Sequence, residues 1–186
     1  MSFTLINAVN TVLRELGEPP VASTDEQYPT LDLVLPAFDS QRVALLSEMW
    51  WFNTFQDYSV QVDGGGLSPT PVNTLQFYPD RPGYIWTGTH IKTPQGENPG
   101  QVVKGRLVVD IDFDDIPLAA QDVITFAVAV QIYSEDVGGD DVLQGILSRR
   151  AEAFARLTGQ HTRQMKVSSL RRKPLHRWRT ALQRWS

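Results

Sequence analysis

Turn-forming residues interrupt the middle of this chain every few positions. Gly64-Gly65-Gly66, Pro69, Pro71, Pro79-Asp80, Pro82-Gly83, Gly88, Pro94, Gly96, Pro99-Gly100 and Gly105 punctuate a single stretch. Glycine and proline at that density confine the region to turns and short strands. The strand candidates are Leu75–Tyr78, Tyr84–Thr87, His90–Lys92 and Arg106–Phe113. Phe52 through Val62 precedes them and alternates with the period of two of a half-buried strand. The stretch 52–113 is therefore expected to be a small antiparallel β-rich insertion.

Helical patterns lie on both sides of it. Residues 4–16 predict a first helix, with Thr4 as its cap and Leu5, Ala8, Val9, Val12, Leu13 and Leu16 at helical spacing. Gly17 stops it, and Pro19-Pro20 bars continuation. A second helix is expected over about 31–50, carrying Leu31, Leu35, Phe38, Leu45, Leu46 and Met49. Pro36 would kink it or mark its true start. Trp50-Trp51-Phe52 is an aromatic cluster where helix gives way to strand. Asp114-Asp115-Ile116-Pro117 reads as a helix start, with acids at the positive end of the dipole. It opens a helix over 117–137 that is apolar on most of its circumference, as in a core or between subunits. Gly138-Gly139 ends it, and Asp140 or Asp141 caps a fourth helix over 141–158. The expected fold class is α+β: a bundle of about four helices, the inserted β region, and an extended C-terminal arm. Residues 1–159 form the body and 160–186 the arm, with no internal repeat.

Charge divides the chain in nearly the same place. The total over 186 residues is only −4. Residues 1–148 hold 6 Lys/Arg against 20 Asp/Glu, whereas residues 149–186 hold 11 against 1. Such asymmetry points to an acidic or polyanionic neighbour for the basic end. Leu175, Trp178, Leu182 and Trp185 recur there at spacings of three and four. Tryptophan and arginine in a polar arm suit a docking segment, nucleic-acid stacking or a membrane-surface helix.

Little else points to chemistry. There are no cysteines, which excludes disulfides, thiolate metal sites and a cysteine nucleophile. His90, His161 and His176 are not at metal-pair spacing, and no phosphate-loop, dinucleotide or serine-elbow signature occurs. No cofactor is expected. Asp110, Asp112 and Asp114 would share one face of a strand, as a catalytic pair, a calcium patch or a glycan site would. A solvated face running into helix-start acids accounts for them more simply. Tyr84 and Trp86 are read as core or interface packing ahead of a sugar platform. The N-terminus Met1-Ser2-Phe3-Thr4-Leu5 does not read as a signal peptide, and no apolar stretch approaches membrane-span length.

Three ordered motifs carry a resemblance. The first is Ala8-Val9-Asn10, then Leu13 and Leu16-Gly17-Glu18-Pro19-Pro20-Val21. The second is Trp50/Trp51-Phe52-Asn53. The third runs from Arg106-Leu107 through Asp110 to Asp115-Ile116-Pro117. Their order and spacing over about residues 4–150 resemble the tail tubular protein A family, the head-to-tail adaptors of short-tailed podovirus bacteriophages. Gln131 through Gly138 follows that pattern loosely, and the arm follows it little.

The resemblance implies a virion structural protein and not an enzyme. It implies a ring of twelve subunits between the portal protein and the tail nozzle protein, with DNA passing through, assembled in the host cytoplasm and without a membrane. By position, the arm would dock on the portal through Arg171, Arg172, Lys173, Arg177, Trp178, Arg179, Arg184 and Trp185. Gly17, Glu18, Pro19, Pro20, Trp51, Phe52, Asn53, Arg106 and Pro117 would be its structural motif residues. Two alternatives come from the residues alone: a nucleic-acid-binding protein gripping through its basic arm, and a tail-associated protein that binds or hydrolyses glycans.

Overall fold

A computed structural model describes residues 4–63, 66–92, 100–136 and 138–171. The first helix, α1 (Leu5–Glu15), forms because Ala8, Val9, Val12 and Leu13 fall on one face, and all four are fully buried. Thr4 has the extended backbone of a cap, but its side chain makes no capping hydrogen bond. The Leu5 amide donates to Asp114 Oδ1 instead, at 2.7 Å. At the other end Gly17 takes a left-handed conformation (φ 78°). The Glu18 and Gly17 amides then reach back to the carbonyls of Leu13 and Arg14, at 2.9 and 3.1 Å. This is a Schellman stop, which needs a residue without a Cβ at the turn.

Helix α2 (Leu31–Leu46) contains Pro36 as its sixth residue instead of starting there. The proline deprives the Asp32 carbonyl of a partner, but both residues are exposed, so water can serve it. The helix stops four residues before the expected Trp50 because Met49 is left-handed (φ 59°). Helix α3 (Leu118–Asp136) is buried on most sides and forms the centre of the bundle, with α1, α2 and α4 packed around it. Pro117 sits just before it, and its carbonyl accepts from Ala120 at 2.8 Å.

Helix α4 (Asp141–Arg171) corrects the expected end at residue 158. A lone Gly159 costs only about 1 kcal/mol in a helix interior, and the two turns before it, Ala151 to Leu157, are rich in good helix formers. At 31 residues α4 is about 46 Å long, against about 28 Å for the 19 residues of α3. Among its described side chains Ile146, Ala153 and Leu157 are buried, His161 still packs on Trp50 and Trp51, and beyond His161 the helix overhangs the bundle.

Among the described residues the insertion forms two three-stranded antiparallel sheets, where the sequence suggests one. Strands β1 (Thr54–Gln61), β6 (Val102–Val109) and β3 (Thr74–Pro79) pair in the order β1-β6-β3. Strands β2 (Leu67–Pro69), β5 (His90–Lys92) and β4 (Ile85–Trp86) form the other, in the order β2-β5-β4. Strand β2 falls among the turn residues between Gly66 and Pro71, where no strand is expected, its Pro69 tolerated because β2 is an edge strand. Strand β6 runs four residues earlier than the expected Arg106–Phe113. A bulge at left-handed Asp57 (φ 58°) shifts the β1 register, so the alternation breaks and Phe55 is 52% exposed. Val60, Val62, Phe77, Ile91, Val103, Leu107 and Val109 make a second core, separate from that of the helices.

Candidate assembly surfaces

The helical bundle and the sheets meet at Trp50–Asn53. Left-handed Met49 turns the chain so that the Trp50 ring enters the core, where its Nε1–H donates to the Leu45 carbonyl at 2.8 Å. The ring then meets α4 edge-on, within the centroid separations of about 4.5–7 Å that such pairs prefer. Its centroid is 6.0 Å from Phe154 and 5.3 Å from His161. Trp51 stands edge-on to Phe52 at 4.9 Å and 6.0 Å from His161. Asn53 is fully buried. Its Nδ2 donates to Leu46 O at 2.7 Å and to Val109 O at 3.1 Å. One amide therefore satisfies an orphan carbonyl of the α2 terminus and the last carbonyl of β6. Beside this junction Arg106 reaches the Met49 sulfur at 3.8 Å. Glu48, Met49, Trp51, Arg106, His161 and Met165 line a groove of about 470 Å3 there.

The N-terminal motif is structural in the same sense. Asn10 holds Val21 at two points, its Nδ2 donating to the carbonyl at 3.0 Å and its Oδ1 accepting from the amide at 2.8 Å. That folds the segment after Pro19-Pro20 back onto α1. Glu18 Oε1 accepts from the Thr30 hydroxyl at 3.0 Å, next to the start of α2.

The acidic run does not present one strand face, because β6 ends at Val109. Asp110 pairs with Arg42, which also donates to the Ile111 carbonyl at 3.0 Å. Asp114, within a 3-10 turn over Phe113–Asp115, caps α1 instead. Sequence reasoning misses Arg42, although a signal exists: it is the lone Lys/Arg between Arg14 and Arg81. Trp86 and Tyr84 pack against the core of the sheets. Among the described residues, no three His, Asp or Glu side chains are grouped to hold a metal, and no helix is long and apolar enough to cross a membrane.

Helix α4 is fastened at both ends of its packed portion. Arg149 pairs with Glu15 of α1, and Arg156 Nη2 lies 2.9 Å from Asp122 Oδ2 of α3. At its start Asp140 accepts from the Leu143 amide at 2.9 Å and from the Tyr133 hydroxyl at 2.7 Å. The Leu143 amide first, then the Tyr133 hydroxyl, holds the Asp140 carboxyl below its usual 3.8. The bond to Asp140, with burial second, pushes the Tyr133 hydroxyl above its usual 10.0. A lowered carboxyl stabilises the fold above its ordinary value, and that contribution is lost as pH falls through the folded-state value. Thermal melts should therefore show Asp140→Ala less stable than the parent at pH 7. The gap should close as the buffer is taken below pH 3.8. A gap that stays constant into acid would refute the cap.

The residues matched by known proteins cover this same architecture. A family model described as tail tubular protein matches residues 6–167, from α1 into the overhang of α4. The chain belongs to the tail tubular protein family. It is also 26% identical over 180 residues to tail tubular protein A of Klebsiella phage KP34, spanning 95% of this chain and 96% of that relative. This tail tubular protein is accordingly a structural protein of a phage tail. Gly17, Glu18, Pro19, Pro20, Trp51, Phe52, Asn53, Arg106 and Pro117 all lie in the matched span. There they start or stop helices, build the junction or flank it. Of the expected docking residues, Arg171 is the last of α4. Arg172, Lys173, Arg177, Trp178, Arg179, Arg184 and Trp185 lie outside the described residues.

Proposed function

We propose that this tail tubular protein is a head-to-tail adaptor. Twelve copies form a ring between the portal protein and the tail nozzle protein, and DNA passes through it. The observation that carries the reading is the family match across both helical pairs and the sheets. The overhang of α4 supports the orientation: it leads straight from the bundle into a segment with no acid after Glu152. Arg171, Arg172, Lys173, Arg177, Arg179 and Arg184 supply charge for an acidic portal groove, and Trp178 and Trp185 supply anchors. The 20 carboxylates against 6 cations of residues 1–148 suit a channel wall along which DNA phosphates slide without sticking.

Deleting residues 172–186 tests it, since α4 and both cores are left in place. The truncated chain should melt like the parent and fail to sediment with portal-bearing heads. Retention on heads at parental occupancy would overturn the docking role.

A further inference from the structure

Two helices of this tail tubular protein each turn an uncharged line of residues to solvent. On α2, Leu33, Pro36, Ser40 and Val43 recur at spacings of three and four, and all are exposed, Leu33 by 61%. The solvent face of a surface helix is ordinarily polar, so a leucine and a valine on one such line point to a missing cover. On α4, Ser148, Ala151, Ala155, Thr158 and Thr162 recur with the same spacing and are exposed too.

Charge flanks the two faces with opposite sign. Beside the α2 face stand Asp32 and Asp39, seven residues apart. Arg42 lies 3.5 Å from Asp39, but it is only 15% exposed and also pairs with Asp110, while the Asp39 side chain remains 79% exposed. Beside the α4 face stand Arg149, Arg156 and Arg163, again seven apart, and Glu152 is the lone acid of residues 142–171. Arg149 and Arg156 pair with Glu15 and Asp122 of their own chain, yet both side chains stay about half exposed. A guanidinium has five N–H donors, so each can serve a second carboxylate.

We propose that the α2 face of one copy packs against the α4 face of a second copy, as the joint between neighbours. This rests on the ring reading and adds which faces meet. Charge complementarity selects the occupant: carboxylates repeating every seven residues meet guanidiniums with the same repeat. Size agrees, because the short side chains of Ala151 and Ala155 let the helices approach until Leu33 and Val43 are covered. At 1.5 Å per residue the α2 face is about 15 Å long and the α4 face about 21 Å, so the first fits within the second. The partner is another copy because both helices pack on α3 and turn these faces away from it. The two faces are different patches, so each copy offers one to either neighbour. A contact of that kind repeats head to tail and closes when the rotation allows.

The absence of cysteine makes the test clean. Full-length chains carrying only Ser40→Cys are mixed with chains carrying only Ala155→Cys, assembled on portal-bearing heads and treated with a short bis-maleimide. Linked pairs of the two chains are expected, and a ladder of multimers from the chain carrying both. Val72→Cys, exposed in the sheet region, should not link to Ala155→Cys. Leu33→Arg/Val43→Arg should lower assembly on heads about tenfold, and so should Ala151→Arg/Ala155→Arg. All four positions are exposed, so both variants should melt like the parent. The cysteine chains decide the matter even where an arginine variant does not fold. Rings that form without the link, or undiminished from either folded arginine variant, overturn this joint and leave the ring reading standing. A link found only within single chains also overturns it. Folded parent chains that never assemble on heads overturn the ring reading and the joint together.

Discussion

Trp50→Ala should destabilise the fold by about 4 kcal/mol, within the range for truncating a buried tryptophan. The side chain is 6% exposed, so its removal leaves a cavity at the meeting point of α2, α4 and the sheets. The Leu45 carbonyl loses its Nε1–H donor in the same step. For a chain of this length, thermal melting should drop by about 8–16 °C. The loss should also be felt at a distance. His161 lies against Trp50 and Trp51 at the root of the overhang. Amides of residues 158–166 should therefore exchange faster than in the parent, as should those of α3 through the lowered global stability. Trp50→Phe keeps most of the ring packing and loses the donor, so it should cost only about 1–2 kcal/mol. A Trp50→Ala melt that overlays the parent would contradict this account of the junction.

Gly105→Ala should cost about 3 kcal/mol, at the upper end of ordinary overpacking. Gly105 lies in β6, the central strand of its sheet, opposite Tyr58 on one side and Pro79 on the other. A Cβ there would fall 2.6 Å from Cζ of Phe77 and even closer to the Tyr78 carbonyl oxygen. Phe77 belongs to the buried core of the sheets and has nowhere to retreat. Because the helices have their own core, the damage should be confined. Far-UV dichroism should keep its helical signal while the tryptophan environment at Trp86 changes. Wild-type stability in urea would mean that Phe77 can move aside.

The features that were legible from sequence are those set by neighbours in the chain. Gly17 before Pro19-Pro20 ends α1 whatever happens elsewhere, and Pro117 opens α3 for the same reason. The missed features depend on distant partners or on backbone choices that side chains do not announce. The α1 cap comes from Asp114, 109 residues away, so Thr4 looked sufficient. Arg42 finds Asp110 across 68 residues. Met49 and Asp57 take left-handed conformations that composition assigns to glycine, which shortened α2 and broke the alternation of β1. The length of α4 was hidden by Gly159, a residue that ends a helix only where a turn or cap follows. At the junction, the type of residue was readable from Trp50-Trp51-Phe52. The contact with His161 was not, because it links segments more than a hundred residues apart.

Asn53 and Val109 are bonded to each other twice, through Val109 N–H to Asn53 O at 3.0 Å and through the Asn53 amide to Val109 O. The chain thus leaves the helices and returns to them at one spot. Everything between, both sheets included, is a detour with a common doorway. Changes to the parts of residues 54–108 that do not touch the helices, as Leu75 and Arg106 do, alter what the protein shows to its surroundings without asking α2 or α3 to move. The helical frame can therefore stay constant while the detour is reshaped for a different neighbour, as domain insertions at adjacent chain ends allow.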